Sequence, residues 1–239
     1  VITFTAAFPN TMLKNLTITL LFAALFTTAV AQTAVDTIDL SRIPQKSVRG
    51  LVLKEKVRTT HDFQCLTTSC YPSEDSVKFR QHLKSYRVHA GIDDVWKKYS
   101  SVSPREAWTG KRVKFGFLFN RFQDAFIYPE DAASPMTVGS IIYVNLKLLQ
   151  GIKNLGVAFE VTGMDPEKKI IRFCYLKDGI SKGSQEIRFA SEPDGTTLVT
   201  HDTHYHSGSR FRDQALYPRF HEQLVGEFHE NLRRIIEGE

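Results

Sequence analysis

Residues 218–236, PRFHEQLVGEFHENLRRII, constrain this chain more than any other stretch. Phe220, Leu224, Val225, Phe228, Leu232, Ile235 and Ile236 recur at the spacing of one helix face, with mostly Glu, Arg, His and Asn between them. Pro218 suits a first helical turn, where its missing N–H is no loss, and Gly238 suits the stop. The spacing predicts one long amphipathic helix, with His221 and His229 flanking its stripe at the surface. A stripe this wide must lie on another apolar surface, and burying it contributes roughly 10–20 kcal/mol as an upper bound.

The segments before it supply that surface. Residues 77–89 read as a strand. Gly91-Ile92-Asp93-Asp94 then opens a short helix carrying Val95, Trp96 and Tyr99, and Ser103-Pro104-Arg105-Glu106 starts another, with Ser103 as N-cap. Alternating or apolar runs follow at residues 113–119, 138–148, 156–162, 169–176, 185–190 and 196–206. Asp165-Pro166, Asp178-Gly179 and Pro193-Asp194-Gly195 punctuate them as turns. Residues 121–136 read as a long loop. One strand, two short helices, six strands in meander order and a long helix make a single α+β domain over residues 76–239.

The front of the chain reads differently. Met12-Leu13-Lys14, an apolar run over residues 16–26 and Ala29-Val30-Ala31 have the layout of a secretory signal peptide cleaved after Ala31. The run is short for a membrane span. Residues 1–11 have no place in such a signal, which points to an over-extended start with Met12 as initiator. The expected address is therefore exported, periplasmic or secreted, with no stable membrane span after cleavage. Removing residues 1–31, with their one Lys, takes the net charge from +5 to +4. Without like-charge blocks, RNA-binding consensus or zinc-finger spacing, the chain carries no nucleic-acid signature.

Residues 32–75 read as a linker and a loop, with residues 50–58 as a short extra strand. Of the three cysteines, Cys65 and Cys70 sit in the turn-rich HDFQCLTTSCYP, and an oxidising compartment favours a local Cys65–Cys70 disulfide. Cys174 lies in an apolar run and reads as a buried free thiol.

From Glu160 onward, EVTGMDPEKKIIRF, Gly183, QEIRF, PDGTTLVT, Tyr205 and the long helix form a pattern that resembles the SRPBCC superfamily, also called START-like or Bet v 1-like. YRVHAGIDDVWKKYSSVSPREAW, with Val95-Trp96, is similar to that family's first strand and paired helices. The resemblance spans residues 77–236; residues 50–75 and the signal lie outside the family pattern. It implies a helix-grip fold: a curved antiparallel sheet wrapped around the C-terminal helix, with a cavity between them that holds sterols, lipids, polyketides or aromatic molecules. Some members are cyclases or hydratases.

Alternation sorts the strand residues into two faces. In the last strand, Val199, His201, Thr203 and Tyr205 form one set. Asp202, His204 and His206 fall in the other, which the family phase turns to the convex face rather than into a metal site. Phe173 and Tyr175 share a face, as do Val157, Phe159 and Val161, and Tyr143 goes with Ile141 and Asn145. The expected cavity has Tyr143, Phe159, Phe173, Tyr175, His201, Thr203 and Tyr205 in its walls, with no cofactor or metal. No G-x-S-x-G, P-loop or H-E-x-x-H is present. Three functions remain: binding a small hydrophobic molecule, a cyclase or hydratase using His201 or Tyr205, or a cavity-free structural or partner-binding protein.

Overall fold

A computed structural model describes residues 37–72 and 76–238, so the expected signal peptide lies outside the described residues. Eight antiparallel strands form one sheet in the order β1-β8-β7-β6-β5-β4-β2-β3. They are β1 (Arg80–Val88), β2 (Val113–Asn120), β3 (Ala125–Ile127), β4 (Ser140–Leu148), β5 (Lys153–Asp165), β6 (Ile170–Tyr175), β7 (Lys182–Ser191) and β8 (Thr197–His206). Register shifts at Phe115/Phe117 in β2 and Val161/Gly163 in β5 are the bulges that bend such a sheet. The short β3 sits inside the stretch that the sequence assigned to a loop.

Three helices pack on the concave face. The first two, α3 (Ile92–Ser101) and α4 (Pro104–Ala107), follow β1 as the sequence predicts, and the third, α5 (Tyr217–Glu237), is the long C-terminal helix. Pro218 stands in its first turn, and Gly238 ends it at φ 76°, a left-handed conformation that glycine adopts without strain. Leu224, Val225, Phe228 and Leu232 are buried on the sheet, with Trp108 stacked on Phe228 at 4.2 Å. A π-helical turn, Arg212–Leu216, leads into α5.

The front of the chain is neither linker nor strand. Residues 46–55 form a helix, α1 (Lys46–Glu55), and residues 60–64 another, α2 (Thr60–Gln64), started by a Thr59/Asp62 capping box. In α1, Val48, Leu51 and Val52 sit at i, i+3 and i+4 and are buried against the convex face of the sheet. They join Phe63, Phe117, Phe119, Ile141 and Tyr143 in a second core, separate from the one under α5. Gly156 lets α1 come close: a Cβ there would stand 2.5 Å from the Ser47 carbonyl oxygen.

The disulfide joins Cys70 to Cys174, not Cys65 to Cys70, and Cys65 is an exposed free thiol. Residues 67–70 run against the end of β6, where Ser69 N–H donates to the Tyr175 carbonyl at 2.8 Å and Lys177 N–H to that of Thr67 at 2.9 Å. This pairing sets the Cα atoms of Cys70 and Cys174 5.0 Å apart. Cys65 ends α2 and takes no part in it.

Candidate functional site

β5 has thirteen residues and β6 six, and their pairing stops at Phe159 with Tyr175. Residues 153–157 therefore have no partner on that side, which leaves a gap in the wall of the sheet. A cleft of about 340 Å³ occupies the gap and continues beneath the start of α5. Leu146, Leu148, Val157, Tyr175, Tyr217 and Leu224 form its mainly apolar walls. A second groove, about 1380 Å³, runs between the α4–β2 turn and the outer side of α5. It is broad, open and lined mostly by charged side chains, and the Glu227 carboxylate within it accepts from the backbone N–H groups of Lys111, Arg112 and Val113. That groove is a capped seam; the smaller cleft has the shape and walls of a ligand site.

Tyr175, Tyr217, His221 and Glu55 bring polar tips to the cleft. Tyr175 and Tyr217 bring their hydroxyls within 2.5 Å of each other, and burial pushes Tyr175 up to about 12 and Tyr217 well above the usual phenol value. Both are neutral donors and acceptors at physiological pH. His221 lies on the same face of α5, one turn after Tyr217, with its ring stacked on the Tyr217 ring at 5.0 Å. Glu55 comes from α1, on the far side of the sheet. Its Oε2 accepts the Tyr143 hydroxyl at 2.7 Å, while its Oε1 is buried without a partner. Burial raises its pKa to about 7, so the carboxyl is poised to exchange a proton near neutrality.

Of the residues that the sequence assigns to a cavity, Tyr175 alone lines this cleft. Phe159 and Phe173 face α5 but pack edge-to-face in the closed core, 5.6 Å apart. His201, Thr203 and Tyr205 also point to α5, and each is already engaged. The Tyr205 hydroxyl donates to the Asp213 carbonyl at 2.8 Å. Thr203 Oγ1 lies 3.5 Å from His221 Nε2. Tyr143 points the other way, into the core beneath α1, because β4 is buried on both faces and its convex side is not solvent.

His201 belongs to a buried chain that the sequence reading missed. With Gln185 Oε1 as acceptor, His201 Nε2–H donates to it at 2.9 Å and His229 Nε2–H donates to His201 Nδ1 at 2.8 Å. Tyr99 O–H completes the chain, donating to His229 Nδ1 at 2.8 Å, so both imidazoles stay neutral. Burial drives the pKa of His229 down to about 3 and those of His201 and His221 well below the usual imidazole value. His221 and His229, expected at the surface, are both buried because the sheet closes around their side of α5. On the convex face, Asp202 accepts from Gln81 and Arg188, and His204 stacks on Tyr71 at 4.2 Å. Among the described residues no group of three or more His, Cys, Asp or Glu is placed to hold a metal ion.

Norcoclaurine synthase from Thalictrum flavum superposes with a TM-score of 0.50 at 13% identity, over 67% of this chain and 95% of that one. The fold is the Bet v 1-like helix grip. A Thermus thermophilus protein (TM-score 0.49, 12% identity, 66% of this chain and 98% of that one) and the Panax ginseng major latex-like protein 151 (0.47, 11%, 66% and 97%) also align with it. No protein-family model matches the chain, and no curated protein matches it in sequence. In this helix grip, α1 and α2 form an outer layer on the convex face, and that layer supplies Glu55 to the cleft.

Glu55 is legible only in retrospect. Its segment reads as a strand, although Val48, Leu51 and Val52 carry helical spacing. Tyr217, His221 and Leu224 stand at i, i+4 and i+7, a signal that continues the stripe one turn toward the N-terminus.

Proposed function

We propose that this protein binds a small, largely apolar molecule in the cleft between the sheet and α5. The observation that carries the reading is the cleft itself: about 340 Å³ of mainly apolar wall, with Tyr175, Tyr217, His221 and Glu55 as polar tips. A preformed apolar site with few polar groups favours molecules that leave water readily and are oriented by one or two hydrogen bonds. The Cys70–Cys174 disulfide supports an exported setting, since such bonds persist in oxidising compartments. The test is titration with the neutral apolar fluorophore N-phenyl-1-naphthylamine. Saturable enhancement, lost in Val157→Trp while circular dichroism is unchanged, is the expected result. An enhancement that Val157→Trp leaves intact places the site elsewhere and ends the proposal.

Glu55 favours a second reading, acid–base turnover of the bound molecule. A carboxyl near pKa 7 is suited to proton transfer, whereas His201 and Tyr205 do not line the cleft. Under this reading chromatography of a bound compound incubated with the protein records a new product, isomeric when only protons move, and Glu55→Gln abolishes it. A compound recovered unchanged leaves binding alone.

A further inference from the structure

We infer that the rim of the cleft is a docking surface for an anionic lipid bilayer, with the mouth of the cleft held against the membrane. Eleven large apolar side chains stand exposed among the described residues, and five of them gather at this rim. Leu149, Ile180 and Leu216 are lining residues of the cleft. Ile152, 87% exposed, and Phe211, 68% exposed, are chain neighbours of the lining residues Lys153 and Arg212. The five come from three separate segments: the β4–β5 turn, the β6–β7 turn and the approach to α5. Exposed apolar side chains scattered singly need no explanation, but their convergence on one opening does.

The charge around the rim selects the partner. Lys153 lines the cleft, and Lys177 and Lys182 flank the β6–β7 turn; none of the three has a carboxylate within salt-bridge distance among the described residues. Among the described residues the Arg212 guanidinium bonds to the neutral oxygens of Ser207 and to no carboxylate. Asp178 is the single exposed acid in the two turns. Basic residues beside apolar tips complement the anionic headgroups and acyl boundary of a bilayer. Separate protruding tips also insert independently into a fluid surface, whereas a rigid protein partner would need a matching pocket for each. This inference goes beyond ligand binding, and its test uses no ligand.

The full chain is prepared with Cys65→Ser, which removes the exposed thiol, and with Ile152→Cys labelled by bimane. A second preparation carries the label at Phe122→Cys; Phe122 is 93% exposed in the β2–β3 turn and outside the rim. Vesicles of equal parts phosphatidylcholine and phosphatidylglycerol are compared with pure phosphatidylcholine. The expected result is a blue shift and quenching by lipid-borne nitroxide at position 152, not at 122, on the anionic vesicles alone. Lys153→Glu weakens the binding by at least about fivefold, the effect of one basic residue at such a surface. If the label at 152 stays in water while the protein pellets with vesicles, attachment is through the apolar stretch near the N-terminus and the inference fails. It fails equally if neither vesicle binds, or if the label is shielded without lipid as concentration rises, which would mark a contact between copies of the chain.

Discussion

Lowering the pH from 6.5 to about 4.5 tests the buried polar chain directly. His201, His221 and His229 are held neutral in the folded state, each with its pKa below the ordinary 6.5. In the unfolded chain all three take up a proton below that value, so their contribution to stability is full above pH 6.5 and is lost as pH falls. Each costs about 1.4 kcal/mol per pH unit through this window. Glu55 acts in the opposite sense, because its folded pKa of about 7 lies above the ordinary 4.5. The folded state holds that proton where the unfolded chain has released it, so stability from Glu55 grows as pH falls from 7 to 4.5. Three imidazoles against one carboxyl leave two protons taken up on unfolding, a loss of roughly 3 kcal/mol per pH unit. Against a typical total of about 5–15 kcal/mol, two units suffice to bring a domain near its midpoint. His82, lowered by partial burial, adds to the same slope. Urea unfolding followed by tryptophan fluorescence at pH steps measures it. Glu55→Gln removes the opposing proton and is expected to steepen the slope by about 1.4 kcal/mol per unit. A flat profile across the window, or a slope untouched by Glu55→Gln, refutes the assignment of neutral buried imidazoles opposed by a protonated carboxyl.

Three further outcomes follow from the packing. Cys174→Ser opens a loop of sequence separation 104 and is expected to cost about 2–5 kcal/mol in urea unfolding, while Cys65→Ser changes nothing measurable. Gly156→Ala drives a methyl group into the Ser47 carbonyl and loosens α1 without touching the inner core; limited proteolysis is expected to cut first within residues 46–55, and cleavage spread over the whole chain would contradict it. Phe63→Ala empties a fully buried site between α2 and the sheet, at a cost of about 3–5 kcal/mol by chemical denaturation.

Much of the concave side was legible in the sequence. The inward set of β8 and the faces of β5 and β6 followed from alternation, because one face of those strands carries charge, as Glu160, Arg172 and Asp202 do. β4 offered no such contrast. In Ser140–Leu148 both faces are apolar, so the phase of Tyr143 could be set only by knowing that α1 covers the convex side. α1 itself was hidden by Gly50 and by the lack of a side-chain cap at Gln45. Cys70–Cys174 is a long-range pairing, and local turn chemistry around Cys65 pointed to the wrong partner. Glu55 sits on α1 and accepts from Tyr143 of β4, so it depends on the first two of these features, and the site was the part least available from sequence.

Finally, β1 has a single neighbour, β8, so the first strand made waits for the last. Until residues 197–206 have emerged from the ribosome, β1 has no strand to pair with and α3 has only part of its wall. His82 comes from that first strand, His201 from the last one and His229 from the helix after it. Their common interior therefore exists only once the whole chain is synthesised. A chain cut before α5 lacks His229, leaves His82 and His201 in water, free to charge, and cannot close over them. Completion of the fold and exclusion of water from its polar centre are the same event, which puts a molecule broken off before α5 at a disadvantage against the full-length chain.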